Sequence, residues 1–125
     1  MKRAFLLVSH GSRSLETITV INDILSYIKQ NSNDFQIFAY GFMEINTPTI
    51  EDAIKSIIDQ DVDSVVVVPY FLFKGIHFKK DILGRMDIYS CKYPKVEFIL
   101  ADPLGYDNSI GDLLLKRAKE SIGNI

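Results

Sequence analysis

The sequence predicts an α/β protein with a single four-stranded parallel sheet, strand order 2-1-3-4, and helices on both faces. Short apolar runs alternate with amphipathic segments along the chain, a pattern typical of strands joined by crossover helices. The connections are short and right-handed crossovers are almost obligatory, so the architecture is flavodoxin-like. With this strand order, a crevice opens at the carboxyl ends of strands 1 and 3.

Four apolar runs predict the strands, at residues 3–9, 35–42, 64–68 and 96–101. The first run is continuously apolar, as expected of a strand covered on both faces. The third contains four consecutive valines and is the most β-favouring stretch of the chain. We therefore expect strand 3 to be buried in the sheet and to present the loop that follows it.

Apolar residues at helical spacing predict four helices between and after these strands. Thr47 suits the N-cap of the second helix, with Pro48 as its first residue. A third helix is predicted over residues 79–89, weakened by Gly84, after a loop over residues 69–78 that is unusually apolar. The fourth helix is marked by apolar residues between positions 110 and 122.

The composition bounds the class of protein. A length of 125 residues fits one compact domain over residues 1–125. The net charge of −2 gives no footprint for nucleic acid, and no apolar run reaches the roughly 20 residues that cross a bilayer. A single cysteine, Cys91, cannot form an intramolecular disulfide, and the first residues do not resemble a signal peptide. We expect a cytoplasmic protein.

The chain holds two histidines, and the topology predicts both at the mouth of one crevice. His10 follows strand 1, and His77 lies in the predicted loop after strand 3. Glu44, at the end of strand 2, could add a carboxylate. Imidazole binds transition metals and moves protons near neutral pH, and two histidines with a carboxylate suit divalent iron, cobalt, nickel or zinc. The residue types alone leave a hydrogen-bonded structural role open.

Aromatic and apolar residues flank His77 and could form the wall of a pocket for a flat organic ligand. These residues are Tyr70, Phe71, Phe73, Ile76 and Phe78. The alternative is that Phe71 and Phe73 cap the core, and we expect part of the cluster to do each.

Charged and hydroxyl side chains near the crevice could hold polar groups of such a ligand. Basic side chains could pair with its acidic groups, and Asp81 either caps the third helix or contacts substrate. The basic residues are Arg13, Lys74, Lys79 and Lys80. Ser9, Ser12 and Ser14 could bind a ligand or could serve as ordinary turn and cap residues.

Several motifs together resemble one enzyme family over nearly the whole chain. They are Ser9-His10-Gly11-Ser12-Arg13; Phe42-Met43-Glu44 with Pro48; Val68-Pro69-Tyr70-Phe71-Leu72 with Gly75, His77, Asp81 and Ile82; and Pro103-Leu104-Gly105. The pattern resembles the small class II tetrapyrrole chelatases, and more closely the short sirohydrochlorin cobaltochelatase (CbiX) group, related to the sirohydrochlorin ferrochelatases. The resemblance implies a chelatase-like half-size domain.

The resemblance also implies an activity and a site. The expected reaction is insertion of Co2+ or Fe2+ into sirohydrochlorin, without nucleotide hydrolysis or a permanently bound cofactor, for cobalamin or siroheme biosynthesis. His10 and His77 would coordinate the metal, with Glu44 as the third catalytic residue. The expected substrate-binding residues are Ser12, Arg13, Tyr70, Phe71, Phe73, Gly75 and Ile76. A homodimer is implied because longer chelatases have two such halves.

Three other functions stay open. A non-catalytic carrier of metal or tetrapyrrole would use the same residues. A phosphoryl-transfer enzyme could use His10 as a nucleophile, but histidine phosphatases carry an arginine before the first histidine, where this chain has Ser9. A flavodoxin-like binding module would need a glycine-rich phosphate loop after strand 1, which is absent from the sequence.

Overall fold

A computed structural model describes residues 1–123, except for the side chains of Ile76 and His77. Strands and helices alternate through this part of the chain. The elements are β1 (Arg3–Ser9), α1 (Thr17–Gln30), β2 (Ile37–Phe42), α2 (Ile50–Ile58), β3 (Ser64–Pro69), α3 (Ile76–Lys92), β4 (Glu97–Leu100) and α4 (Asn108–Ser121). Within residues 1–123, no helix has the length and apolar character needed to span a membrane.

The strands form one parallel sheet in the order β2-β1-β3-β4, which confirms the predicted topology. Val8 of β1 pairs with Gly41 on one side and with Pro69 on the other, so the carboxyl ends of three strands lie side by side. The loops after β1, β2 and β3 therefore start from one edge of the sheet. This edge carries the candidate site.

The two faces of the sheet are covered to different degrees. Helices α2 and α3 cover one face, where Leu6, Val67 and Ile82 are almost completely buried. On the other face α1 packs mainly against β2, and a smaller cluster forms around Ile21 and Phe42. Each buried aliphatic or aromatic side chain contributes about 1.5–3 kcal/mol through the removal of apolar surface from water. The α2–α3 face buries more such side chains than the α1 face, so it contributes most of the stability of the core.

The predicted start of the second helix is wrong by two residues. Thr49, not Thr47, is the N-cap of α2. Its hydroxyl accepts a hydrogen bond from the Asp52 amide at 3.1 Å, and the Asp52 carboxylate accepts one from the Thr49 amide at 3.1 Å. This reciprocal capping box satisfies two backbone donors that Thr47 could not reach.

The third helix is longer than predicted. It begins at Ile76 and ends at Lys92, so His77 lies in the first helical turn and not in a loop. Gly75 is the N-cap in an extended conformation, and its carbonyl accepts a hydrogen bond from the Lys79 amide at 3.0 Å. Gly84 does not interrupt the helix, since it is exposed and costs only about 1 kcal/mol relative to alanine.

Candidate functional site

The loops after β1 and β2 stay paired beyond the ends of the strands. The Met43 amide donates to the Ser9 carbonyl at 2.9 Å, and the Glu44 amide donates to the His10 carbonyl at 3.0 Å. These bonds continue the parallel ladder by two residues. His10 and Glu44 are thereby held next to each other by backbone, as the predicted strand order required.

Gly11 allows this close approach of the two loops. Its φ is +102°, and a Cβ atom at this position would lie 2.0 Å from the Glu44 carbonyl oxygen. A side chain would therefore both clash with backbone and force a left-handed conformation that L-residues rarely adopt. Only glycine fits between the backbones that carry His10 and Glu44.

Asn46 adds a second tie between the same loops. Its Oδ1 atom accepts a hydrogen bond from the Ser12 amide at 2.6 Å, and its own amide donates to the Glu44 carbonyl at 2.8 Å. Our sequence analysis did not identify Asn46 as a site residue. The signal was weak, because asparagine in a loop is usually ordinary turn chemistry.

The His10 side chain is exposed and rests against an aromatic pair. Its ring meets the Phe71 ring edge to face, with ring centroids 4.4 Å apart and an interplanar angle of 88°. Phe71 in turn contacts Phe78, with centroids 4.2 Å apart, and both are half-buried against the main core. The imidazole is thus supported on one side by the hydrophobic core.

A cavity of about 250 Å3 lies beside His10. Its lining combines an imidazole, two carboxylates, a guanidinium and two apolar side chains: His10, Met43, Glu44, Phe78, Asp81 and Arg85. Imidazole and carboxylate can bind a divalent metal or accept protons, and Met43 and Phe78 offer apolar contact to an organic ligand. The structure thus brings His10 and Glu44 together as predicted.

Arg85 lines the cavity, and our sequence analysis did not identify it as a site residue. Its Nε atom lies 2.8 Å from the Asp81 carboxylate and its Nη1 atom lies 2.8 Å from the Glu51 carboxylate. The hydrogen bond to Asp81 raises the pKa of Arg85, partly opposed by its partial burial and helped by Glu51. Asp81 lies within α3 and is not its cap. The i, i+4 spacing of Asp81 and Arg85 was the one sequence signal that could have indicated their ion pair.

Tyr89 lies one helical turn beyond Arg85, close to the ion pair of Arg85 with Glu51. Its side chain is 8% exposed. Burial, reinforced by the nearby Glu51 carboxylate, raises the pKa of the Tyr89 hydroxyl well above its ordinary value. Tyr89 therefore stays neutral while its charged neighbours pair with each other.

Other predicted substrate-binding residues lie away from this cavity. Ser12 and Tyr70 line a separate cavity of about 250 Å3 on the α1 side of the sheet. Phe73 is 79% exposed, and Arg13 is exposed in the loop after β1. Within the aromatic cluster, Phe71 packs on the core, whereas Phe73 lines a separate surface cavity.

The basic side chains predicted near the crevice lie at other places on the surface. Lys74 forms an exposed ion pair with Asp102, 3.2 Å apart. Lys74 and Lys79 line a third cavity of about 90 Å3 between the ends of β3 and β4. Lys80 is exposed on α3. These lysines do not line the cavity beside His10.

The side chains of His77 and Ile76 lie outside the described part of the structure. The predicted pairing of His77 with His10 therefore stays a prediction, as does a pocket contact from Ile76. Among the residues whose side chains are described, no group of three His, Cys, Asp or Glu residues is arranged to hold a metal ion. His10 and Glu44 are the candidate metal ligands that the structure describes beside the cavity.

Comparison with known proteins places this geometry in a family. The family model CbiX matches residues 4–121. The sirohydrochlorin cobaltochelatase of Sulfolobus acidocaldarius is 35% identical over 117 residues, which are 94% of this chain and 90% of the relative.

Two solved structures share the fold. The sirohydrochlorin chelatase SirB from Bacillus subtilis subspecies spizizenii, in complex with cobalt, has a TM-score of 0.87 and 28% identity, over 96% of this chain and 51% of SirB. SirB from Bacillus subtilis with Fe3+ has a TM-score of 0.85 and 29% identity, over 100% of this chain and 49% of SirB. This chain thus spans about half the length of SirB. With a family match over residues 4–121 and 35% identity to a curated relative of similar length, the chain belongs to the CbiX family.

Proposed function

We propose that this protein is a sirohydrochlorin chelatase, a lyase that inserts Co2+ or Fe2+ into sirohydrochlorin without hydrolysing a nucleotide. The observation that carries the proposal is the juxtaposition of His10 and Glu44 at one cavity in a chain of the CbiX family. The similarity to a sirohydrochlorin cobaltochelatase supports the substrate, and the cobalt and iron structures of SirB support the choice of metals. The product would enter cobalamin or siroheme biosynthesis.

The reaction needs two things that these residues can supply. A hydrated divalent ion must lose water, and a neutral imidazole of His10, joined by His77, can replace that water as a temporary ligand. Two pyrrole N–H protons must leave as the metal enters the macrocycle, so the balance is one metal ion in and two protons out. Glu44 or a histidine can accept these protons.

The macrocycle would be held by the surrounding loops. Apolar and aromatic side chains would contact its flat face, and basic or hydroxyl side chains would hold its peripheral carboxylates. The proposed binding residues are Ser12, Arg13, Tyr70, Phe71, Phe73, Gly75 and Ile76. Ser12 and Tyr70 lie at a neighbouring cavity, which is compatible with a ligand wider than one cavity.

We propose further that residues 1–125 act as one chelatase domain, that the working protein is a homodimer, and that it is cytoplasmic. The homodimer is supported by the length of SirB, about twice that of this chain. The location is supported by the sequence, which carries a single cysteine.

Metal insertion can be followed directly from the visible absorption of sirohydrochlorin. Anaerobic incubation of sirohydrochlorin with Co2+ or Fe2+ should give a faster spectral change with the protein than without it. A non-catalytic carrier, the second candidate, would instead bind metal or tetrapyrrole saturably without raising the rate. That result would overturn the proposed activity.

A further inference from the structure

Ile45, the residue after Glu44, has a backbone conformation that isoleucine rarely adopts. Its φ is +71°, in the left-handed region, where a β-branched residue is an outlier. One other non-glycine residue of the described chain has a positive φ, Asp61 at 59°. Asp61 lies in the turn after α2, and aspartate enters this region more readily than isoleucine. Ile45 is 59% exposed, so burial of its side chain does not offset the cost of the conformation.

A hydrogen bond defines the turn around Ile45. The Asn46 amide donates to the Glu44 carbonyl at 2.8 Å, across a single intervening residue. With a positive φ at Ile45, this bond makes the rare and strained form of the γ-turn. We call these three residues the γ-turn. The loop that contains it is closed at its base, where the Phe42 amide donates to the Pro48 carbonyl at 2.9 Å.

Both ends of the γ-turn are tied to the loop that carries His10. The Glu44 amide donates to the His10 carbonyl at 3.0 Å. The Oδ1 atom of Asn46 accepts a hydrogen bond from the Ser12 amide at 2.6 Å. Between these two ties, a Cβ atom on Gly11 would lie 2.0 Å from the Glu44 carbonyl oxygen and 3.0 Å from Oδ1 of Asn46. The γ-turn therefore cannot relax without separating from the neighbouring loop.

We propose that Asn46 is a positioning residue, which holds the strained γ-turn closed and thereby fixes Glu44 beside His10 as a second ligand for one divalent metal ion. The inference deepens the proposed chelatase function and rests on it. Strained backbone persists only where the surrounding structure holds it, and it is concentrated at functional sites. Here the residue that the turn presents, Glu44, lines the same cavity as His10.

The backbone sets the direction of Glu44 because its side chain is exposed and is not held by packing. The Cβ of Glu44 leaves the chain where the γ-turn begins, so the turn decides which way the carboxylate leaves the loop. Loss of the Asn46 side-chain bond would let Ile45 leave the left-handed region. The adjacent peptide would then rotate and carry the carboxylate away from His10.

Calorimetry of Co2+ binding tests the role of Asn46. Asn46→Ala removes the Oδ1 acceptor and should raise the Co2+ dissociation constant about tenfold, the lower end of the range for groups that orient metal ligands. Asn31→Ala is the matched control, because the Asn31 side chain also makes one hydrogen bond to backbone, from Nδ2 to the Tyr27 carbonyl at 2.8 Å, at the end of α1. It should leave the constant within about twofold.

A double-mutant cycle shows whether Asn46 acts through Glu44. Glu44→Ala should itself weaken Co2+ binding. Adding Asn46→Ala to it should change the constant by no more than about twofold, because the ligand that Asn46 positions is gone. An equal loss of affinity from Asn46→Ala in both backgrounds would overturn the proposal. So would a wild-type protein that binds no Co2+, or Co2+ binding that Asn46→Ala does not weaken.

Two measurements on the fold decide the question even if Asn46→Ala is poorly folded. In wild-type protein the amides of Ser12 and Asn46 should exchange with deuterium at least about tenfold more slowly than in an unstructured peptide, because both are hydrogen-bonded. Ile45→Gly should raise the midpoint of thermal unfolding by a few degrees, because glycine adopts a positive φ without strain. Unprotected amides, or a midpoint that Ile45→Gly does not raise, would overturn the strained turn.

None of these measurements uses sirohydrochlorin, so each is independent of the chelatase assay. Metal insertion by a protein that shows no coupling between Glu44 and Asn46 would overturn the positioning role and leave the activity standing. The same coupling in a protein that inserts no metal would overturn the activity and leave the positioning role standing.

Discussion

The His10 imidazole meets the Phe71 ring edge to face, with ring centroids 4.4 Å apart and planes at 88°. Phe71 also packs against Phe78 and the main core. An exposed histidine would otherwise sample several rotamers, whereas this contact ties its orientation to the hydrophobic core. The core thus helps to set the direction in which His10 can present a metal ligand.

Replacing Phe71 by leucine should slow metal insertion. Leucine keeps apolar volume at this position but removes the edge contact, which is worth about 0.5–1.5 kcal/mol. The loss corresponds to a fall in rate of up to about tenfold. Phe98→Leu is the matched control, since Phe98 packs on the same core cluster and contacts Tyr89, not His10. Equal rates for the two variants would contradict the support assigned to Phe71.

Gly11→Ala should destabilise the fold and disrupt the site together. The added Cβ atom would meet the Glu44 carbonyl at 2.0 Å, and the left-handed backbone adds its own penalty. We expect a loss of at least about 2 kcal/mol in the free energy of unfolding, measured by urea denaturation.

Gly84→Ala is the control for that measurement. A Cβ at Gly84 meets nothing within 4 Å, so alanine should stabilise α3 by about 0.5–1 kcal/mol. If Gly11→Ala were as stable as Gly84→Ala, the close approach of the two loops would be disproved.

Arg85→Met should strengthen Co2+ binding. The variant removes a cation from the cavity and frees the Asp81 carboxylate that Arg85 now pairs with at 2.8 Å. A unit charge and a divalent ion about 6 Å apart in water interact by about 1.4 kcal/mol, or about tenfold in the dissociation constant. Titration calorimetry of Arg85→Met against Lys80→Met, an exposed position on the same helix, checks this. An unchanged affinity in Arg85→Met would show that the charge of Arg85 does not affect metal binding in the cavity.

Acid should loosen the start of α4 through its cap. The Asp107 carboxylate accepts hydrogen bonds from the Ser109 hydroxyl and, at 2.9 Å, from the Ser109 amide, and these bonds lower the pKa of Asp107. Because the folded pKa is lowered, the stabilisation is complete above the ordinary value of 3.8 and is lost as pH falls through the lowered value. Circular dichroism between about pH 6 and pH 2 should show a steeper loss of helix for wild type than for Asp107→Asn, whose amide oxygen can still cap. Identical profiles would contradict this role of Asp107.

The sheet order could be predicted because the apolar runs and short crossovers leave few alternatives. The start of α3 could not, because Gly75 caps the helix without a side chain and leaves no sequence signal. The start of α2 was misplaced by Pro48, which is typical of a first helical position, although Thr49 and Asp52 carried the capping-box spacing.

Some features of the candidate site could likewise be predicted from the sequence, and others could not. His10 and Glu44 were predicted together because strand order alone decides which loops meet. Tyr70 lines the cavity on the α1 side, whereas Phe71 packs against His10 and the main core, because consecutive residues leaving a strand point to opposite faces of the sheet. Arg85 was missed because the face that a helical residue presents depends on packing that the sequence does not reveal.

The rate of Co2+ insertion into sirohydrochlorin by His10→Ala tests the central claim most directly. Wild-type protein should accelerate the change in visible absorption over the uncatalysed reaction, and His10→Ala should lose most of that acceleration, as should His77→Ala. Thr19→Ala, an exposed position on α1 away from the cavity, should retain the wild-type rate. Full activity in His10→Ala would contradict the assignment of metal insertion to the cavity beside His10 and Glu44.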